Sequence, residues 1–107
     1  MNPRIESLEK MLDGPRDSAL LRFSLGNEYL KAGNAAQAAI CFRNAVDRDI
    51  QYSAAWKALG KALSESGETT AALSAYQQGS TVAEARGDIQ AVKEMRVFAK
   101  RLEKSLP

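Results

Sequence analysis

The fold is decided by residues 56–76, which read WKALGKALSESGETTAALSAY, and by an earlier stretch, residues 22–42, which reads RFSLGNEYLKAGNAAQAAICF. Five positions recur with an offset of 34 residues: Leu25 as Leu59, Gly26 as Gly60, Gly33 as Gly67, Ala38 as Ala72 and Phe42 as Tyr76. A fixed period of this length is typical of stacked helical hairpins. The sequence therefore predicts an all-α, right-handed solenoid.

The composition is that of a small globular domain. The chain has 107 residues, 45% of them hydrophobic and 26% charged, and a net charge of +2 from 15 Lys and Arg against 13 Asp and Glu. A chain of this length buries one modest core, so we expect a single domain over residues 1–107. Charge this evenly balanced does not by itself indicate nucleic acid or an anionic membrane as the partner.

Helix signals run almost from end to end, and glycine, proline and capping residues divide them into segments. The segments predict about six helices: an N-terminal capping helix over 3–13, one hairpin over 19–52, a second over 53–86, and a C-terminal capping helix over 88–105. The residues predicted to cap helix N-termini are Asn2, Asp17-Ser18, Asn34, Ser53 and Asp88. Two hairpins alone leave an apolar face exposed at each end of the stack, which the terminal helices would cover.

The repeated positions describe a core. Gly26 and Gly60 lie in the middle of helices, where glycine costs about 1 kcal/mol relative to alanine. We expect them to admit a closely packed partner helix, with Ala38 and Ala72 as the small residues on that partner. Further core positions are predicted from helical spacing: Phe42 and Tyr76 between hairpins, Trp56 as an anchor, Cys41 as a small buried residue, and the stripe Ile89, Val92, Met95, Ala99, Leu102 and Leu106.

The pattern resembles the tetratricopeptide repeat (TPR) over residues 19–86. The second copy carries it as Trp56, Leu59, Gly60, Leu63, Gly67, Ala72 and Tyr76; the first as Leu25, Gly26, Tyr29, Gly33, Ala38, Phe42 and Ala45. Departures are Arg22 in place of the usual tryptophan, Ile50 and Glu84 in place of proline, and Gly79 in place of alanine. The chain is similar to small, stand-alone bacterial TPR proteins.

The resemblance implies a non-catalytic module that binds a peptide or partner segment in a concave groove, in an adaptor, co-chaperone-like or assembly role. The groove positions that it implies are Leu20, Phe23, Asn27, Leu30, Lys31, Lys57, Lys61 and Ser64, together with Ala54 and Glu65. Lysines at this phase predict a mildly basic groove that suits an acidic segment or a C-terminal carboxylate. The carboxylate clamp of some TPR domains is matched only in part, since Phe23 stands where a clamp lysine belongs.

Two other interpretations remain open. The terminal helices could dock a partner or self-associate, giving a monomer or a weak homodimer, with Val97 and the basic face of the last helix as one surface and the Ile5–Leu12 helix as another. Nucleic-acid binding is the less favoured interpretation. Residues 86–104 carry six Lys and Arg against three Asp and Glu, but they lack interleaved exposed aromatic residues.

The sequence gives no support for catalysis, so we expect no enzyme activity, cofactor or metal site. It contains no histidine, one cysteine, and no glycine-rich phosphate loop or nucleophile motif. A lone cysteine forms no internal disulfide, and no apolar run approaches the roughly twenty residues of a membrane helix. With no signal-peptide pattern at the N-terminus, the expected location is the cytoplasm.

Overall fold

Asparagine, serine and aspartate side chains cap the N-termini of four helices, and glycines with positive φ follow the C-termini of three helices. The computed structural model describes residues 2–107, in which all regular structure is α-helical. The helices are α1 (Pro3–Glu9), α2 (Ala19–Lys31), α3 (Ala35–Arg48), α4 (Ser53–Glu65), α5 (Thr69–Arg86) and α6 (Ile89–Ser105). The predicted all-α solenoid is confirmed. No helix in this part of the chain combines the length and apolar character needed to cross a membrane.

The predicted caps are found at Asn2, Ser18, Asn34 and Asp88, whose side chains accept backbone N–H groups of the first helical turn. The cap predicted at Ser53 is wrong. Tyr52 precedes α4, Ser53 is already helical, and its buried hydroxyl has no partner among residues 2–107. Gly33, Gly67 and Gly87 have φ of 81°, 85° and 76°, a conformation that glycine adopts without steric cost.

The first helix is shorter than predicted. The prediction of 3–13 rests on Gly14-Pro15 as the stop, but α1 ends at Glu9 and the chain continues in turns. Met11 N–H bonds to the Leu8 carbonyl and Leu12 N–H to the Glu9 carbonyl, a tighter spacing than in an α-helix. The chain then reverses at Asp13, whose φ is 63°.

Two helical layers form the stack. α2, α4 and α6 lie side by side, and α3 and α5 pack behind them, since each helix contacts its neighbours in sequence while α2 also meets α4, and α4 meets α6. Because α6 lies beside α4 as α4 lies beside α2, α6 takes the position that the first helix of a third hairpin would occupy. The largest fully buried side chains are Phe42, Leu25, Leu59, Met95 and Val46.

The side chain packed most closely against each of the repeated mid-helix glycines is an aromatic ring, and not the predicted alanine. A Cβ added to Gly26 would lie 2.5 Å from Cε1 of Phe42, and one added to Gly60 would lie 2.5 Å from Cε1 of Tyr76. Gly79 has a similar role at the α4–α5–α6 junction, where an added Cβ would lie 2.6 Å from both Met95 Sδ and Trp56 Cβ. Each glycine thus provides the space for a large side chain on the opposing helix.

The N-terminal segment is attached by a small apolar cluster and by ion pairs. Ile5 packs with Leu25 and Cys41, which are all buried. Asp17 binds Arg22 through two hydrogen bonds of 2.7 and 3.0 Å and Arg48 through one of 3.2 Å, which joins the first loop to α2 and α3. Arg22, which replaces the usual tryptophan, is therefore one half of a charged clasp.

The outer face of α6 is uncovered. Val92, Met95 and Ala99 are buried as predicted, but Ile89 is 58% exposed, so its assignment to the core is wrong. No helix among residues 2–107 follows α6 to cover Ile89 or the half-exposed Val97.

Candidate functional site

A concave groove of about 740 Å³ runs across α2, α4 and α6. Its lining residues are Phe23, Asn27 and Leu30 from α2; Ala54, Lys57, Ala58, Lys61, Ser64 and Glu65 from α4; Tyr76 from α5; and Glu94 and Phe98 from α6. The regular stack places these residues side by side because side chains at equivalent phases of neighbouring parallel helices share one face. The groove is large enough to hold several side chains of a bound segment.

Six of the eight residues that the sequence nominates line this groove: Phe23, Asn27, Leu30, Lys57, Lys61 and Ser64. Lys31 lies at an adjoining depression that shares Asn27, Leu30, Lys61 and Glu65 with the groove. Leu20 is 64% exposed and is not brought to the groove lining. The structure thus assembles most of the nominated residues but leaves Leu20 apart.

Aromatic rings form the apolar part of the lining. Phe23 lies with its ring centroid 5.0 Å from that of Tyr52 and 5.7 Å from that of Phe42. On the other side, the ring centroids of Tyr76 and Phe98 are 5.4 Å apart, and the Arg101 guanidinium lies 5.8 Å from the Phe98 centroid. Burial, followed by the nearby Glu65 carboxylate, raises the pKa of Tyr76 to about 12, so its phenol stays protonated at neutral pH.

The charged groups of the groove are balanced. Lys57 Nζ donates to Glu94 Oε2 at 2.8 Å, across the gap between α4 and α6. Hydrogen bonds from Lys57 and then from Gln90 hold the pKa of Glu94 below its usual range. With Lys61 and Glu65, the lining carries two positive and two negative side chains. The predicted mildly basic groove is therefore wrong, because α6 contributes a carboxylate that the repeat pattern did not place there.

Three polar side chains of the lining remain available. Within residues 2–107, the side chains of Asn27, Lys61 and Ser64 form no hydrogen bond or ion pair with another side chain. All three lie on the α2 side or towards the C-terminal end of α4. A ligand that enters the groove can meet these donors and acceptors without breaking an existing contact.

The sequence did not point to four of the residues that line the groove: Ala58, Tyr76, Glu94 and Phe98. Tyr76 is a repeat position and was assigned to the core alone, while α6 was treated as a cap and not as a groove wall. The available signal was Phe98, an aromatic residue that falls beside the predicted apolar stripe of α6 and not on it.

Comparison with known proteins decides the family. No family model matches the chain. TPR repeat-containing protein PA0015 of Pseudomonas aeruginosa is 48% identical over 101 residues, which cover 94% of this chain and 96% of the relative. This chain belongs to the tetratricopeptide-repeat family. TPR proteins generally act as non-catalytic modules that mediate protein–protein interaction.

Solved structures of similar proteins have the same fold. The solution structure of protein BPP2914 from Bordetella parapertussis is 42% identical, with a TM-score of 0.81 and coverage of 98% of this chain and 91% of that one. A TPR domain protein from Salinibacter ruber is 29% identical, with a TM-score of 0.75, covering 86% of this chain and 92% of that one. The similarity extends over α1 and α6 as well as the repeats, since nearly the whole chain is covered.

Proposed function

We propose that this TPR chain holds a segment of a partner protein in the groove between α2, α4 and α6, without catalysis. The observation that carries this proposal is the combination of half-buried aromatic walls with the unengaged side chains of Asn27, Lys61 and Ser64. Apolar walls supply most of the affinity of such a site, and a few polar groups fix the orientation of the ligand.

The partner segment is matched to these groups. An apolar side chain fits between the Phe23 and Phe98 walls, and one acidic group, either a side chain or a C-terminal carboxylate, fits Lys61. A carboxylate accepting from an unpaired ammonium forms a charge-assisted hydrogen bond, which is stronger than a neutral one. An adaptor or assembly role follows, because the groove binds a segment and leaves the rest of the partner free.

Selection of a displayed random peptide library on the immobilised protein tests this proposal, with affinities of the enriched peptides measured by fluorescence anisotropy. Lys61→Glu should weaken binding about tenfold, the size of one lost charge-assisted hydrogen bond. Lys93→Glu, an exposed lysine on the outer face of α6, is the matched control and should leave binding unchanged. Absence of enriched peptides, or equal binding by the Lys61→Glu variant, contradicts the proposal.

The second candidate is docking or self-association through the outer face of α6. Ile89 is 58% and Val97 49% exposed there, and Lys93, Lys100 and Lys104 surround them. Sedimentation velocity of the wild type and of Val97→Glu over a range of concentrations tests self-association. A mass that grows with concentration only in the wild type supports this candidate, whereas a monomer in both contradicts it.

A further inference from the structure

We propose that Glu94 is a specificity-determining residue of the groove, an internal carboxylate that occupies Lys57 and excludes a ligand carboxylate from that end. The inference rests on the proposed function, since it concerns what the same groove selects. It assigns to α6 a part in recognition that its position as a terminal helix does not imply.

The geometry of the pair supports this role. Lys57 Nζ and Glu94 Oε2 are 2.8 Å apart, and both side chains line the groove. The amide of Gln90 donates to the other carboxylate oxygen of Glu94 at 3.2 Å, which holds the carboxylate towards α4. The side chains of Lys57 and Glu94 remain 39% and 34% exposed, so a ligand can reach the ammonium that Glu94 occupies.

Lys61 provides the contrast. It lies one turn further along α4, also lines the groove, and has no ion-pair partner among residues 2–107. Glu65, four residues later, is not within ion-pair distance of it. The groove therefore has a paired lysine, Lys57, at one end and an unpaired lysine, Lys61, at the other.

A ligand carboxylate gains more binding free energy at the Lys61 end of the groove than at the Lys57 end. At Lys61 the ligand gains a new ionic hydrogen bond. At Lys57 it must replace Glu94, so one carboxylate is exchanged for another, and the displaced charge stays nearby and repels the ligand. The selected class is accordingly a peptide that presents one acidic group at the Lys61 end and neutral groups at the Lys57 end.

Removing the Glu94 charge tests the inference. A peptide enriched on the wild-type protein is resynthesised as a series with aspartate placed at each position in turn, and each member is titrated against the wild type, Glu94→Gln and Glu103→Gln. We expect Glu94→Gln to bind one or two adjacent members of the series roughly two- to fivefold more tightly than the wild type does, the range expected for a partly exposed ion pair. Glu103→Gln, which removes an exposed carboxylate of α6 outside the groove lining, should not strengthen binding of the same members.

The outcomes separate the two proposals. If no peptide is enriched on the wild-type protein, the proposed function fails. If peptides are enriched but Glu94→Gln strengthens no aspartate-substituted member, the proposed function stands and the role of Glu94 is overturned. A purely structural role of the Lys57–Glu94 pair would weaken all peptides equally and lower the melting temperature, so a selective gain for a few members supports the specificity role.

Discussion

The ring of Phe42 lies in the space that Gly26 leaves open, with the place of a Gly26 Cβ only 2.5 Å from Phe42 Cε1. Gly60 and Tyr76 repeat the relationship one hairpin later with the same closest distance. Both glycines are conformationally unfavourable in a helix, so their recurrence reflects packing between the two helices of each hairpin.

Gly60→Ala should therefore destabilise the protein although alanine is the better helix former. The added methyl group forces the Tyr76 ring to move, and overpacking of a buried site typically costs about 1–3 kcal/mol, which exceeds the helix-propensity gain of up to about 1 kcal/mol. We expect a net loss of up to about 2 kcal/mol in the free energy of unfolding, measured by urea denaturation. Gly14→Ala is the control, because its Cβ would meet only the Met11 carbonyl oxygen at 3.5 Å. Equal stability of the two variants would contradict the packing explanation.

Substitutions on the buried and exposed faces of α6 should differ sharply in their effect on the free energy of unfolding. Met95 is fully buried against Gly79, so Met95→Ala leaves a cavity and should cost about 2–5 kcal/mol in urea denaturation. Val97→Ala, two residues later on the exposed face, should change the free energy of unfolding by less than about 0.5 kcal/mol. Similar losses for both variants would mean that α6 is rotated from the orientation described.

The Asp17 clasp should make stability depend on acid. The hydrogen bonds from Arg22, above all, hold the pKa of Asp17 well below the usual 3.8, so folding favours the ionised form. The resulting stabilisation is complete above about pH 4–5 and is lost as the pH falls through the folded-state pKa. Asp17→Asn should lower the melting temperature at pH 7, and the difference from the wild type should shrink towards pH 2.

Circular dichroism melts at pH 7, 5, 3 and 2 measure this effect. Asp47→Asn is the matched control, since Asp47 is exposed and forms no ion pair with another residue of the 2–107 segment. A constant difference between Asp17→Asn and the wild type at every pH would show that the clasp acts through its geometry and not through its charge.

The rate at which the Cys41 thiol is labelled should depend on the packing of α1 against the stack. Burial raises the pKa of the Cys41 thiol to about 11, so only about 0.1% is thiolate at pH 8, and Ile5 packs in the same cluster. Native protein should react with a chromogenic disulfide reagent far more slowly than urea-unfolded protein. Ile5→Ser should speed labelling of the native state, while Ile89→Ser, at an exposed isoleucine, should not. Equal labelling rates in both variants would place the protection of Cys41 outside the α1 contact.

The repeated part of the fold was predictable, because the same signals occur twice at one phase. Gly33 and Gly67 end equivalent helices, and Leu25 and Leu59 are buried at equivalent positions. Ser53 was misassigned because its neighbour Tyr52 takes the cap position. The end of α1 was misplaced because turns with tighter hydrogen bonding continue after Glu9, and periodicity alone does not distinguish them from helix.

The charge of the groove was less predictable, for a physical reason. The partners Lys57 and Glu94 are 37 residues apart, and their contact depends on how α6 is rotated about its own axis when it meets α4. That rotation follows from the fit of Met95 against Gly79 and Trp56, which is a property of three helices together. The residue pattern of a single helix therefore does not predict this rotation.

The position of α6 has a consequence for engineering. A terminal helix that only seals a stack can be exchanged for another repeat, as modular arrays allow. Here the same helix supplies Glu94 and Phe98 to the groove. Lengthening the array by replacing α6 would therefore change the residues of the binding surface. Grafting this groove onto another scaffold requires three helices, α2, α4 and α6, and not only two.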